Sequence, residues 1–184
     1  MRRDIQIIRG SDRQLVDAVL LTLGDKHLDD FEQRWKEQLR VSSEADQYWD
    51  WVAKNRIYGT SDTVEGYAIE CEEMTQGLML IETRLHRSQV DRTRRLVYVH
   101  SLATAPWNRP SMQSPPRYRA VGATLLRFAR YRSQQLGYGG LVGLHALPEA
   151  IEFYEKMGMT DGGTDPDMED LTYFEWYRRR EESE

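Results

Sequence analysis

The 184-residue sequence contains a single cysteine, Cys71. The chain can therefore form no internal disulfide, and it lacks the thiolate clusters that hold zinc or iron–sulfur groups. We expect no metal and a reducing compartment, the cytoplasm. Cys71 itself is predicted to be a small buried apolar residue rather than a nucleophile.

Long hydrophobic runs are also missing. No segment approaches the roughly 18 apolar residues of a membrane span, and the N-terminal MRRDIQIIRGSDRQ lacks the apolar core of a signal peptide. The sequence has 25 basic and 30 acidic residues and a net charge of -5, so no general excess of positive charge favours phosphate backbones. We expect no membrane association, and nucleic acid is not the expected partner, although a local basic patch could reverse this.

Several catalytic signatures are absent as well. The sequence has no G-x-x-x-x-G-K-[ST], no G-x-G-x-x-G after a strand, no H-E-x-x-H and no G-x-S-x-G. These absences argue against P-loop NTPases, dinucleotide-binding oxidoreductases, zinc proteases and α/β-hydrolases. The GYGG segment at residues 137–140 follows a helical pattern, so we interpret it as a helix end.

The first half of the chain combines helical and strand patterns. Apolar residues recur every three to five positions from Ser11 to Leu39, which predicts one or two amphipathic helices. A further helix is predicted after Ser43, so the first 60 residues are expected to be mainly helical. VEGYAIEC and GLMLIETRL then predict a hairpin that turns between Glu73 and Gly77.

The second half alternates strands and helices. LVYVHSLATA predicts a buried strand that ends at Pro106. After the proline-rich loop PWNRPSMQSPP, a helix runs from Gly122 to Gly137, and GLVGLHA, EAIEFYEKM and LTYFEWY predict strand, helix and strand before the charged tail RRREESE. We predict one α/β domain over residues 1–184, with a mixed, twisted sheet of about six to seven strands and about four helices.

The stretch RYRAVGATLL, residues 117–126, joins the proline-rich loop to the predicted helix. A helix N-terminus binds phosphate readily, and Arg117 and Arg119 could neutralise its oxygens. The small residues Ala120, Gly122 and Ala123 would let a ligand approach the backbone closely. The alternative is a plain helix start with solvated arginines.

The order and spacing of these segments resemble those of the GCN5-related N-acetyltransferases (GNATs) over roughly residues 96–159. The family's phosphate loop is written Q/R-x-x-G-x-G/A, and Arg117, Ala120 and Gly122 occupy its defining positions. The alanine at 120 departs from the family pattern. A second departure is Leu147, where the family often has asparagine.

The resemblance implies a sheet whose central strands splay apart to hold an acyl-CoA, with acetyl-CoA as cosubstrate. The backbone of Leu102, Ala103 and Thr104 would meet the pantetheine and the acyl carbonyl. The expected pyrophosphate-binding residues are Arg117, Arg119, Ala120, Val121, Gly122 and Ala123.

Tyr154 in EFYEKMG matches the tyrosine that serves many GNATs as general acid and protonates the departing CoA thiolate. A phenol is protonated near neutral pH and can donate to a forming thiolate; core packing is the alternative role. An amine nucleophile also needs a base. For this base the sequence offers two histidines and two glutamates, first His100 and Glu70, then His145 and Glu82.

The acceptor is expected to be a primary amine of a small molecule or a protein, which attacks the thioester directly. Trp49, Trp51 and Trp107 could line its pocket through cation–π contacts, although ordinary core packing is the alternative for all three. Two other functions stay open: a non-catalytic CoA-binding or interaction module, and a toxin- or defence-type acetyltransferase acting on charged tRNA or protein. A homodimer also stays open.

Overall fold

The structure, a computed structural model, describes residues 1–177. The charged tail at residues 178–184 lies outside the described residues. In the described part of the chain, nine strands form one mixed sheet in the order β6-β1-β2-β3-β4-β5-β7-β9-β8. The strands are β1 (Arg2–Arg9), β2 (Leu15–Thr22), β3 (Val64–Cys71), β4 (Met74–Glu82), β5 (Val97–Thr104), β6 (Tyr118–Arg119), β7 (Val142–Ala146), β8 (Thr160–Asp165) and β9 (Leu171–Trp176).

The helical segments of residues 1–177 amount to four helices. The first is continuous and comprises α1 (Asp25–Asp30), a π-helical turn (Phe31–Trp35) and α2 (Lys36–Arg40). The others are α3 (Trp51–Tyr58), α4 (Val121–Gln135) and α5 (Ile151–Lys156). The predicted α/β class, mixed sheet and helix number are confirmed, and the strand count is higher than predicted.

The N-terminal segment corrects the prediction of a helix from Ser11. β1 and β2 form an antiparallel hairpin in this region. In β2 the buried side chains alternate, with Ala18 and Leu20 inside, whereas Leu15, which contributed to the apparent helical spacing, is 62% exposed. The helix begins only at Asp25, after Gly24.

Two further boundaries differ from the prediction. α3 begins at Trp51 rather than after Ser43, because the Asp50 carboxylate caps it by accepting the Ala53 N–H at 2.8 Å. The β3–β4 turn consists of residues 72–73 rather than 73–77. Both turn glutamates have positive φ, 52° and 59°, the backbone of a tight hairpin turn that usually selects Asn or Gly; the sequence therefore carried no signal for it.

The later predictions hold. β5, α4, β7, α5 and β9 form where their patterns indicated, and α4 ends at Gln135, two residues before Gly137, whose φ is +79°. The sequence missed the two-residue β6 and the exposed strand β8, TDGGTD, which has no apolar alternation. β5 pairs in parallel with β7 only from Val97↔Val142 to Val99↔Leu144 and then continues to Thr104 without pairing to β7, as a splayed central pair requires.

Packing divides the chain into two compact units. Unit 1 comprises Met1–Ile81 and Ser101–Arg127, and unit 2 comprises Glu82–His100 and the chain from Phe128 onward. The core of unit 1 is built mainly from Phe31, Trp35, Trp51, Leu78, Leu80 and Ala103. Unit 2 has its own apolar cluster of Leu96, Tyr98 and Leu141. That residues 1–184 act as one domain stays a prediction.

The composition led to expectations about Cys71 and about membrane-spanning helices. Cys71 is buried and unpaired, and its thiol donates to the Asp17 carbonyl at 3.5 Å. None of the helices within residues 1–177 has the length and apolar character needed to cross a bilayer.

Candidate acyl-CoA site

The segment that the sequence singled out forms the junction between β6 and α4. α4 begins at Val121, and its first i→i−4 hydrogen bond runs from the Thr124 N–H to the Ala120 carbonyl, at 2.8 Å. The amides of residues 121–123 therefore precede the first bond that a helix can give them. They lie at the positive end of the helix dipole, where an anion is stabilised.

Ala120 is the residue that turns the strand into the helix. Its φ is +65°, in the left-handed region. An L-residue with a Cβ adopts this conformation at a cost of about 1–2 kcal/mol, which glycine avoids. The alanine therefore keeps the backbone that a glycine would adopt easily, and the departure from the family pattern changes the strain rather than the shape of the turn.

A buried glutamine holds the loop that leads into this turn. Gln76 on β4 is fully buried, and its Oε1 accepts the Trp107 indole N–H at 2.8 Å and the Asn108 amide at 3.0 Å. Trp107 and Asn108 in turn bind the start of β6. The Trp107 carbonyl accepts the Arg117 N–H at 2.7 Å, and Asn108 Oδ1 accepts the Tyr118 N–H at 2.9 Å.

The N-terminal hairpin supports the same loop from the other side. β1 pairs with β6 through Ile8↔Arg119 and Arg9↔Tyr118. The Gly10 N–H donates to the Arg117 carbonyl at 2.9 Å, and a Cβ on Gly10 would lie 1.6 Å from the backbone oxygen of residue 116. Gly10 is thus a site-supporting residue that the sequence analysis missed, since only the tertiary pairing reveals it.

The two arginines of the motif have different surroundings. The Arg117 guanidinium pairs with the Glu72 carboxylate at 2.6 Å and lies over the Tyr118 ring, 5.5 Å from its centroid. The bond from Arg117 holds the pKa of Glu72 below its usual value. Arg119 is exposed. Arg117 would have to leave Glu72 to meet a phosphate, whereas Arg119 needs no such exchange with any described residue.

The predicted acyl-binding segment also lies in unit 1. Leu102 and Thr104 are half-buried, and Ala103 is buried in the core of the unit. The Thr104 carbonyl accepts the Arg109 Nε–H at 2.9 Å. Arg109 is itself held by a bidentate pair with Asp46 at 2.6 and 2.7 Å, so the end of β5 is fixed.

Gly77 sets the distance between β4 and the start of α4. A Cβ at this position would lie 2.6 Å from Val121 Cγ1, 2.9 Å from Leu125 Cδ1 and 3.5 Å from the Ala103 carbonyl oxygen. Only a glycine lets the helix N-terminus approach this closely. The structure therefore brings the predicted pyrophosphate loop and the predicted acyl-binding segment to the same part of unit 1.

Comparison with known proteins depends entirely on the fold. No family model and no curated protein matches this sequence. Among solved structures, the GNAT domain of S. lividans PAT aligns with a TM-score of 0.62 at 11% identity over 95% of this chain and 96% of its own. The PaiA N-acetyltransferase of Thermoplasma acidophilum, in complex with coenzyme A, aligns with a TM-score of 0.61 at 13% identity over 89% and 100%.

This chain has the GNAT fold. The aminoglycoside N-acetyltransferase AAC(6')-Iy, bound to a bisubstrate analogue, shares it with a TM-score of 0.57 at 13% identity over 89% of this chain and 98% of that one. At these identities the likeness establishes the fold alone.

Glu70, a predicted base of the GNAT site, takes part in a charged cluster. Its Oε1 lies 2.7 Å from Lys26 Nζ and 3.0 Å from His27 Nε2. The His27 contact lacks hydrogen-bond alignment. His27 is 5% exposed, and its Nδ1 accepts the Gly24 N–H at 2.9 Å, so burial lowers the pKa of His27. His27 belongs to none of the sequence motifs, and its position in a helix gives no indication of this contact with Glu70.

The other three residues predicted as candidates for the catalytic base lie in unit 2. Glu82 is buried and accepts the backbone N–H groups of Arg84 and Leu85 at 2.8 and 2.7 Å. His145 uses both ring nitrogens, Nδ1 with the Tyr98 hydroxyl at 2.7 Å and Nε2 with Asp165 at 2.9 Å. His100 is half-buried on β5. Glu82 and His145 are therefore engaged in structural bonds.

Tyr154, the predicted general acid of the GNAT fold, lies on α5 and is 7% exposed. Its ring centroid is 5.0 Å from that of Phe153 and 5.8 Å from that of Phe174. Burial raises the pKa of Tyr154. The phenol therefore keeps its proton at neutral pH, as a proton donor must.

The three tryptophans predicted for the acceptor pocket belong to the aromatic core of unit 1. Trp51 is fully buried, and Trp49 and Trp107 pack against the core with part of their surface exposed. The Trp107 ring meets Trp35 edge-on at 6.2 Å. For metals, residues 1–177 contain no group of three or more His, Cys, Asp or Glu arranged to hold an ion.

Proposed function

We propose that this protein transfers an acetyl group from acetyl-CoA to a primary amine of a small molecule or a protein. The observation that carries the proposal is the left-handed turn at Ala120, which presents the amides of residues 121–123 in a chain with the GNAT fold. The crystallised PaiA enzyme with coenzyme A and the aminoglycoside enzyme with a bisubstrate analogue support a CoA thioester as donor and an amine as acceptor.

The residues of the β6–α4 junction fit a pyrophosphate. The three helical amides supply donors, the helix dipole favours negative charge, and the exposed Arg119 adds a cation. The pantetheine would run along the backbone of Leu102, Ala103 and Thr104. This placement and the roles below carry the family resemblance over to this chain's residues.

The proposed reaction is direct acyl transfer. The neutral amine attacks the thioester carbonyl, and a backbone amide between residues 102 and 104 stabilises the oxyanion. The C–S bond then breaks, and Tyr154 donates its proton to the thiolate. The amine gives up its own proton to a base, for which we propose His100 or Glu70.

Calorimetry with acetyl-CoA tests the cofactor. Wild-type protein is expected to bind, and Ala123→Glu is expected to bind at least about tenfold more weakly, because the new carboxylate repels the pyrophosphate. The helix dipole stabilises a glutamate in the first helical turn, so the variant should stay folded. Ala123→Gln controls for side-chain size. No binding to folded wild-type protein would disprove the proposal.

A non-catalytic CoA-binding module is the second candidate, because Glu82 and His145 are tied up in structural bonds. To distinguish an acetyltransferase from such a module, the release of thiol from acetyl-CoA is measured with aminoglycosides, other primary amines and peptides as acceptors. If the protein is an enzyme, Tyr154→Phe should lower turnover by about tenfold or more with nearly unchanged CoA affinity. An unchanged rate would remove Tyr154 from the mechanism, and CoA binding with no turnover on any acceptor would favour the module.

A further inference from the structure

Lysine is scarce in this chain. Only four of its 25 basic residues are lysines, at positions 26, 36, 54 and 156. Three of the four are held by carboxylates: Lys26 by Glu70 at 2.7 Å, Lys36 by Glu32 at 2.7 Å, and Lys156 by Glu152 at 2.6 Å. Ion pairing favours the ammonium form, and an ammonium has no lone pair with which to attack an electrophile.

Lys54 differs from the other three. It is half-buried on α3, and its Nζ lies 4.3 Å from the centroid of the Trp49 ring. In the described part of the chain it forms no ion pair with a carboxylate. The Trp49 face stabilises the ammonium by between about 0.5 and 2 kcal/mol, and by more as the site loses water.

Apart from the Trp49 ring, which favours the ammonium, the surroundings of Lys54 disfavour its charged form. Burial lowers the pKa of Lys54, and no neighbouring charge opposes that shift. A larger share of this amine is therefore neutral near physiological pH than of Lys26 and Lys36, whose pKa values lie above the usual value because their carboxylate partners outweigh burial. Its partial exposure leaves room for a small reagent.

We propose that Lys54 is a site of direct acylation by acyl thioesters. The neutral Nζ attacks the thioester carbonyl, an N–C bond forms, and the C–S bond breaks. The proton released from nitrogen passes to the leaving thiolate, so the products are Nε-acetyl-lysine and a free thiol. The inference goes beyond the proposed function, because it requires neither the amides of residues 121–123 nor Tyr154.

The test uses S-acetyl-N-acetylcysteamine, a thioester without a nucleotide, so that a failure of CoA binding cannot affect the result. The folded wild-type protein is incubated at mildly alkaline pH, and peptide mass spectrometry follows all four lysines in the same molecule. Lys54 is expected to be acetylated about tenfold faster than Lys26, Lys36 or Lys156. A rate at Lys54 equal to or below that of the exposed Lys156 would overturn the proposal.

A designed carboxylate provides the second test. Ile57 is 67% exposed and lies three residues after Lys54 on α3, a spacing at which helical side chains meet. Ile57→Glu should slow acetylation of Lys54 by at least about threefold, because the new ion pair favours the ammonium. Ile57→Gln, the neutral control, should react like wild type. Equal rates in the two variants would contradict the proposed origin of the reactivity.

Discussion

At the scale of the residue, the backbone conformation of Ala120 sets the geometry of the candidate site. Its positive φ of 65° reverses the chain between β6 and α4, and the helical amides that follow lie one, two and three residues later. A backbone in the left-handed region is usually assigned to glycine. The alanine thus stores strain at the point where the phosphate is expected to bind, a common location for strained backbone.

Replacing this alanine by glycine should release the strain. Ala120→Gly removes a Cβ that costs about 1–2 kcal/mol in the left-handed region, against about 0.4–1 kcal/mol of added unfolded-chain entropy. We expect a net stabilisation of up to about 1.6 kcal/mol, seen as a rise in Tm of up to about 6 °C. Calorimetric scanning measures it.

Ala123→Gly provides the matched control, because Ala123 lies inside the first turn of α4. There glycine has no left-handed strain to relieve and costs about 0.5–1 kcal/mol relative to alanine. A fall in Tm for both variants would show that Ala120 carries no releasable strain.

At the scale of elements, β4 organises the loop before α4. Gln76 binds Trp107 and Asn108 through its oxygen, and its amide donates to the Cys71 and Met74 carbonyls, each at 3.2 Å. Every polar atom of this buried side chain is therefore used. The neighbouring Gly77 lets α4 approach β4, so two adjacent strand residues position the loop and the helix.

Gln76→Leu should damage both stability and CoA binding. The substitution leaves the Trp107 indole N–H without its acceptor and takes one of two acceptors from the Asn108 amide, which keeps the Gln76 carbonyl at 3.3 Å. It also removes the amide that donates to the Cys71 and Met74 carbonyls, and a buried polar group without a partner costs about 1–3 kcal/mol. We expect about 2–4 kcal/mol of lost stability in urea unfolding, and weaker CoA binding by the folded fraction, because Asn108 is then less firmly positioned to accept the Tyr118 N–H. Gln38→Leu, at an exposed glutamine, is the control and should stay within about 0.5 kcal/mol of wild type. Equal stabilities would exclude this role for Gln76.

At the scale of the whole molecule, two histidines link stability to pH. Burial lowers the pKa of His27. Loss of water around the ring also lowers the pKa of His86, whose residue surface is exposed but whose ring stacks on Tyr98 at 4.1 Å. Each histidine therefore binds a proton more readily in the unfolded chain than in the folded one. The hydrogen bond from the Ala53 N–H likewise holds the pKa of Asp50 below its usual value.

The free energy of unfolding should therefore fall on acidification. A group whose pKa is lower in the folded chain than in the unfolded chain adds its full contribution to the free energy of unfolding at pH values above its unfolded pKa. That contribution is lost as the pH falls through the pKa of the folded chain. For the histidines the loss begins below about pH 6.5, and the carboxylate adds its loss below about pH 4. Urea unfolding across this range measures the slope, and His27→Gln should flatten it between neutral pH and about pH 5. A stability independent of pH above pH 5 would contradict this assignment.

The parts of the site that the sequence predicted are those with strong local signals. The strand LVYVHSLATA, the helix after Gly122 and the loop R-x-x-A-x-G each show their structure within about fifteen residues. The second strand of the N-terminal hairpin falls within the predicted helix from Ser11, because Leu15 and Val19 mimic helical spacing when the sheet that buries Ala18 and Leu20 is unknown.

The sequence by itself determined the α/β class, the strand–loop–helix succession and the place of the junction between β6 and α4, because periodicity and small residues act over short distances along the chain. Only the tertiary structure decided that Lys54 meets the Trp49 ring and no carboxylate of residues 1–177. It also decided that Gln76, Gly10 and the N-terminal hairpin hold that junction and that Glu72 pairs with Arg117. These contacts join residues far apart in sequence, and their energies depend on distance and burial in the folded chain.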